Sequence, residues 1–379
     1  MQYDMHYYGT YAMAAAAGIP EDDAETIAYA SQHVDDQNYT SQVSVREVKA
    51  DLCETVIGIP TAHHPISRQI IAAGIEHLIR KIISFLAHKN KNRSELMGED
   101  DCRLVWVPFH FLPGNKGKLY LEKLVCQEDS KIANEMLENH LKHTSSDFNL
   151  ELIGIAAHVY ADTFAHFGFS GVTSWLNSID VDSISISDSH GNETRAYIEG
   201  RANTFRKLYG NTENALCLGH GGVDTCPDRP FLRWEFRYKD GDQKLETRNN
   251  SEHFLLSCQK MHAYFCRFAD IRYPGALRKT VINFDSIALA IQEILNFEGP
   301  ADDRVQQWLL AMQNNQLGPF RPCVKYDNEA WNTELIAALE EKNFTKIRQS
   351  NAYRFLAAAE YHRHYVLKQL LPKHGLIVA

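Results

Sequence analysis

Three residues spaced four apart, His158, Asp162 and His166, interrupt the apolar stretch GIAAHVYADTFAHFGFSG that runs from Gly154 to Gly171. Their neighbours are Ile, Ala, Val, Phe and Gly, so the stretch predicts a buried helix. At ~100° per residue, a four-residue step drifts by only ~40°, and the three side chains make one polar stripe. A carboxylate without partners in such surroundings is costly. Two imidazoles on its face, one turn to either side, are the donors a metal centre uses. The ends of the stripe lie about 12 Å apart along the helix, too far to close on one ion, so the spacing predicts two metals with Asp162 between them. The competing reading is a hydrogen-bonded core network or an interhelical salt bridge. The second histidine, the apolar flanks and the small residues Ala157, Ala161, Ala165 and Gly168, which let other elements come close, favour metal.

Other histidines and carboxylates stand in comparable surroundings. His110 lies in VWVPFHFLP, where an unpaired imidazole would be poorly solvated. His220, Asp224 and Asp228 share the Gly-rich loop LCLGHGGVDTCPDRP, and Asp228, beside two prolines, is either a rival of Asp224 as a ligand or a turn residue. His6 opens the first predicted helix, and Asp35-Asp36 follows the second. His63-His64 before Pro65 reads as a structural pair at the start of a helix. In Glu360, His362 and His364 the two imidazoles are two residues apart and point away from each other on a helix. Gly219, Gly221 and Gly222 do not follow a strand-to-helix phosphate fingerprint. There is no G-x-S-x-G and no adjacent His-Asp pair, which leaves serine hydrolases and the usual HD signature unsupported.

The elements that must position these residues are mainly helical. Helices are predicted from Asp4 to Ala17, from Glu21 to about His33, from Ile66 to Leu86, from Glu128 to Leu141, from His253 to Ala269, from Asp285 to Phe297, from Glu329 to Glu341 and from Ala352 to Leu371. Residues 43–60 carry no strong period. SISISDSHGNETRAYIEG alternates like a strand broken by a turn, and FLRWEFRYKDGDQKLETRNN predicts a hairpin around Asp240-Gly241. The expectation is a single helical domain over residues 1–379, with a small β insertion at about 180–248.

Composition narrows the function classes. The chain is 44% hydrophobic and 23% charged, with a formal charge of −9 and no basic stripe, which argues against duplex nucleic acid and leaves a small nucleotide open. No apolar run reaches the ~20 residues of a membrane span, and MQYDMHYYGTY lacks the regions of a signal peptide, so the default compartment is the cytoplasm, with leaderless export left open. The eight cysteines have no CxxC pair and read as free thiols or core packing. The 18 histidines are the compositional anomaly.

In order and type, His6, Asp35 or Asp36, His110, the His158/Asp162/His166 stripe and His220-x3-Asp224 resemble the zinc-dependent phospholipase C and P1-type nuclease superfamily, loosely over residues 1–228. The whole chain is also similar to a bacterial family described only as a domain of unknown function. The superfamily resemblance implies a helical enzyme with three zinc ions that hydrolyses phosphate esters. It implies one metal on Asp35 or Asp36, His110, His158 and Asp162, a second on His166, His220 and Asp224, and a third on His6 with Asp162 as bridge. The superfamily spaces its stripe as His-x3-Asp-x5-His, against x3 and x3 here. It also uses the amine of a processed N-terminal Trp, for which Asp4 could stand in.

Zinc-like ions take His nitrogen and carboxylate oxygen, and an open coordination position lowers the pKa of bound water toward ~7. Such donors also accept Mn or Fe. Whichever of Asp35 and Asp36 is not a ligand is the candidate base for that water. The expected activity is hydrolysis of a phospholipid head group or a small phosphodiester. The alternatives are a non-catalytic metal-binding or sensing protein, an HD-like metal phosphohydrolase, and an interaction protein whose His and Asp residues only satisfy one another.

Overall fold

The computed structural model describes residues 1–37, 41–47, 52–58, 60–62, 102–209, 219–239, 245–341 and 343–378. A π-helical turn, Asp4–Gly9, runs into α1 (Thr10–Ala16), which Gly18, at φ +83°, and Pro20 bring to an end. Helix α2 (Glu21–Asp36) begins with the acids Glu21, Asp22 and Asp23, which suit the positive end of its dipole, and places Asp35 and Asp36 in its last turn. Strands β1 (Ser41–Glu47) and β2 (Leu52–Gly58) pair antiparallel. The π-helical segment α3 (Cys102–His110) contains Pro108. Ser130 Oγ accepts from Ala133 N at 3.0 Å and caps α4 (Lys131–His140), which leads to α5 (Asn149–His166).

After α5 come β3 (Ile179–Ile186), α6 (Asn192–Tyr209), β4 (Arg233–Tyr238) and β5 (Leu245–Asn249), the strands forming an antiparallel sheet in the order β3-β4-β5. Among the helices that follow are α7 (Asn250–Arg272), α8 (Phe284–Leu295), α9 (Ala301–Gln313), α10 (Ala330–Glu340), α11 (Phe344–Gln349) and α12 (Asn351–Tyr365). The fold is mainly α, with a small antiparallel sheet inserted where the alternating stretches lie.

Every residue of α5 except Leu150 is buried, as its apolar composition dictates, and α2, α3, α4, α7 and α12 pack around it. The approach of α2 is closest at Gly154, where an added Cβ would collide with Ile27 O and come within 2.6 Å of Ala30 Cβ. Two apolar clusters result. The larger holds the helices, including Phe109 and Ile155; the smaller joins Phe111 and Phe169 to Trp234, Phe236 and Phe231 around the sheet. His110 lies between Phe109 of one cluster and Phe111 of the other, so the polar stripe of α5 meets the seam between them.

Local pattern and structure part in several places, among them α3 and α11, which form where no helix is predicted. Residues 43–60, without a strong period, contain the β1–β2 hairpin. The second half of SISISDSHGNETRAYIEG opens α6 instead of continuing as strand, and α9 arises where no helix is predicted. The predicted helix 66–86, His63-His64 and the Asp240-Gly241 turn lie outside the described residues. Among the described residues, no helix is long and apolar enough to cross a membrane.

Candidate metal centre

Asp162, 1% exposed, stands at the middle of the site. Its Oδ2 lies 3.3 Å from His110 Nδ1, 3.3 Å from His158 Nε2 and 3.5 Å from His166 Nδ1. Its Oδ1 faces His6 Nε2 at 3.2 Å and the Met1 amino group at 2.8 Å. The last turn of α2 brings Asp35 to the same place, its Oδ1 3.9 Å from both His110 Nδ1 and His158 Nε2 and its Oδ2 4.0 Å from His6 Nε2. One turn along α5, His166 Nε2 meets Asp228 Oδ1 at 3.0 Å, and Asp228 Oδ2 lies 3.6 Å from His220 Nε2. Asp228 Oδ1 is also 3.1 Å from the Met1 amino group. Three groups therefore converge closely enough to hold an ion: His6, Asp35 and His158; His110, His158 and Asp162; His166, His220 and Asp228.

The outward nitrogens of these rings show which atoms face inward with a lone pair. His110 Nε2 bonds Thr61 O at 2.8 Å, His166 Nδ1 bonds His110 O at 2.8 Å, and His220 Nδ1 bonds Asp224 O at 2.7 Å. A carbonyl accepts only, so each of these nitrogens carries the proton. In the neutral ring, the opposite nitrogen then presents a bare lone pair to a carboxylate oxygen, another acceptor. Facing acceptors repel, and either a proton or a metal cation between them removes the repulsion. Ligand imidazoles that spend their other N–H on a carbonyl are the usual second layer of a metal site. His6 Nε2, though 3.2 Å from Asp162, makes no aligned hydrogen bond, and His158 Nδ1 has none either. The donor set, nitrogen and carboxylate oxygen only, fits zinc, manganese or iron.

The carboxylates, the imidazoles and the Met1 amine shift one another's pKa values. Burial by itself would raise Asp162, but His166, the Met1 amine, His158 and His6 outweigh it and hold the carboxyl well below its usual range. Burial also works against Asp228, which the Met1 amine, His220 and His166 depress strongly. Asp35 is lowered by His158, His6 and His110 against its burial. Burial and the neighbouring His158 push His6 down to about 4. For His110, burial is overcome by Asp162 and Asp35, and its pKa rises. Burial lowers His220 in spite of Asp228.

The structure thus brings together His6, Asp35, His110, His158, Asp162, His166 and His220. It does not bring in Asp36 or Asp224. Asp36 points to Tyr326, whose hydroxyl donates to Oδ2 at 2.6 Å, and to Gln32. Asp224, at φ +49°, receives Nε and Nη2 of Arg201, the latter at 3.0 Å, and offers His220 only its carbonyl. Asp228 stands where the sequence spacing places Asp224. A loop with Cys226-Pro227 between the two acids sets which one faces His166, and no periodicity reports on that. Asp4 is held by Arg304 Nε and Nη2 at 2.7 and 3.0 Å in a buried ion pair and does not join the site. His362 bonds His140 at 2.9 Å and Pro108 O at 2.8 Å, apart from Glu360, which is exposed. Missed by the spacing is Thr61, whose carbonyl orients His110; Thr61 is itself held by Oγ1 to Val34 O at 2.9 Å.

No curated protein and no solved structure matches the chain, and nothing in these comparisons supports the likeness to phospholipase C and P1-type nucleases. A family model does match, over residues 1–370, nearly the whole length. Its description names no activity. The chain belongs to that family, a family of unknown function (DUF6765).

Proposed function

We propose that this protein is a metal-dependent hydrolase of phosphate esters, acting on a phospholipid head group or a small phosphodiester within a single helical domain. The observation that carries the reading is the set of inward ring nitrogens of His110, His166 and His220, each with a carbonyl behind it and Asp162 or Asp228 in front. His6, Asp35, His110, His158 and Asp162 would hold one or two ions, and His166, His220 and Asp228 a further one. Two divalent cations already outweigh the three carboxylates of these groups, which favours an anionic substrate. Bound ions would supply a water of lowered pKa and polarise a phosphoryl oxygen.

The chain's own residues then have distinct parts. The side chain of Asp35 is 26% exposed, against 1% for Asp162, and Asp36 is turned away to Tyr326. The base role therefore falls not to the non-ligand acid expected from the sequence but to Asp35, which would hold an ion through one oxygen and take the proton of an incoming water on the other. That opening also favours catalysis over a site that only stores metal. Asp162 stays dry and holds the histidines in register. Asp36, bound to Tyr326, fixes the end of α2 and with it Asp35.

The test is elemental analysis of protein purified without chelator, followed by hydrolysis of bis(p-nitrophenyl) phosphate. At least two ions per chain are expected, with activity lost about 100-fold or more in His158→Ala and in Asp35→Asn while the fold is kept. Metal-loaded protein inert on phosphodiesters, phosphomonoesters and phospholipids alike would overturn the hydrolase reading. No bound metal would overturn the metal reading as well.

A further inference from the structure

The guanidinium of Arg248, on β5, is 4% exposed and bonds to the end of α5. Nη1 donates to Ala165 O at 3.0 Å, and Nη2 donates to Phe167 O. These two carbonyls straddle His166. Its cation lies 4.0 Å from the ring centre of Phe167 and between 5.2 and 5.7 Å from those of Phe169, Phe236 and Trp234. Burying a cation is costly, and here the negative end of an 18-residue helix and four aromatic faces offset the cost. The chain leaves room for it: a Cβ on Gly168, at φ +84°, would come within 3.0 Å of Arg248 Nη2 and 2.6 Å of the Tyr238 hydroxyl.

Two residues on, Asn250 does the same for the other ligand segment. Its Nδ2 donates to Cys226 O at 2.7 Å and to Arg229 O at 2.8 Å, the carbonyls on either side of Pro227-Asp228. Its Oδ1 accepts from Trp234 Nε1 at 3.1 Å, so the amide cannot turn over without losing these bonds. His166 and Asp228 come from distant parts of the chain, and their backbones are gripped by one short piece of it.

We infer that Arg248 and Asn250 are positioning residues for the His166–His220–Asp228 group, and that the sheet insertion exists to clamp that group into shape for its ion. This rests on the metal reading above. Neither residue touches the ion or the substrate. Each acts through the backbone that carries a ligand, and a shift of about 1 Å there is enough to open a coordination sphere.

The experiment uses the full chain, with zinc as the probe. Metal equivalents are measured after dialysis for wild type, Arg248→Met, Arg248→Lys, Asn250→Ala and His166→Ala, with circular dichroism and melting as controls for folding. Arg248→Met and Asn250→Ala are each expected to lose one equivalent while the other ions stay. Arg248→Lys, which keeps the charge and one bond, should regain at least half of it. Adding His166→Ala to Arg248→Met should remove no further equivalent, because both changes empty the same site. Folded variants with the wild-type complement would overturn the inference. So would a loss spread evenly over all sites in step with a falling melting point, the mark of a merely structural role. Should Arg248→Met fail to fold, Arg248→Lys decides: about tenfold weaker zinc binding in this group alone is expected, and unchanged binding overturns the clamp. Wild type devoid of metal would overturn the metal reading itself, whereas loaded wild type with unaffected variants overturns the clamp alone.

Discussion

His166 Nδ1 donates a hydrogen bond of 2.8 Å to the backbone carbonyl of His110, so one residue serves two groups, with its ring in the first and its main chain in the second. A side-chain substitution can separate these roles. His110→Ala removes the ring and keeps the carbonyl. It should lose the ion shared with His158 and Asp162 and retain the one on His166, His220 and Asp228. Metal equivalents by elemental analysis check this, and loss of both ions would mean that the ring, not the carbonyl, holds the second group.

Asp162 touches His6, His110, His158 and His166, whereas His166 touches only its own neighbours. Asp162→Ala should therefore remove more metal than His166→Ala, and Asp162→Asn should weaken binding while keeping the shape. Ligands that bind only the folded state stabilise it, by about 2.7 kcal/mol at a hundredfold excess over Kd for one site. Chelator should lower the melting point of wild type, and lower that of Asp162→Ala less, since this variant keeps the His166–His220–Asp228 group. Equal wild-type midpoints with and without chelator would contradict this.

The two acids of the Gly-rich loop should part company. Asp228→Asn is expected to cost one metal equivalent. Asp224→Asn weakens the ion pair with Arg201, which is partly exposed, and should cost about 1 kcal/mol or less of stability with the metal complement unchanged. The pair of variants, assayed for metal and for melting, reverses if Asp224 is the ligand.

At Gly154 the contact of α5 with α2 leaves no space for a methyl group. Gly154→Ala should destabilise by about 1–3 kcal/mol, as overpacking does, despite the better helix propensity of alanine. Because α2 carries Asp35 and α5 carries His158, zinc affinity should fall along with it. Denaturant titration and zinc competition on the same sample test both, and a stabilised variant would refute the close contact.

Glu151, on α5, is 1% exposed with Oε1 unpartnered, and burial raises its pKa from the ordinary 4.5 to about 7. The folded state therefore holds this proton more tightly than the unfolded chain does. The contribution to stability is full below pH 4.5 and is lost as pH rises through 7, about 3 kcal/mol at one pKa unit per 1.36 kcal/mol. Glu151→Gln should be more stable than wild type at pH 8 and no more stable at pH 4. Melting points across that range give the answer, and parallel curves would show that Glu151 is solvated.

The helical character of the chain and the stripe on α5 are legible from the residues alone, because both depend on short-range periodicity: apolar residues at helical spacing bury a face, and residues four apart share it. The sequence also marked His110 and His220, since an imidazole in an apolar or Gly-rich segment needs a partner. What it left open were choices between near neighbours, Asp35 against Asp36 and Asp224 against Asp228. Adjacent residues on a helix end point about 100° apart, and which one faces inward depends on how α2 is rotated against α5. The two helices meet in a long-range contact, with α2 lying directly against Gly154. In the loop, Arg201 claims Asp224 and Asn250 holds the backbone around Asp228, two partners far away in the chain. Tertiary structure alone decided those pairings, because the groups that set them are neighbours only after folding.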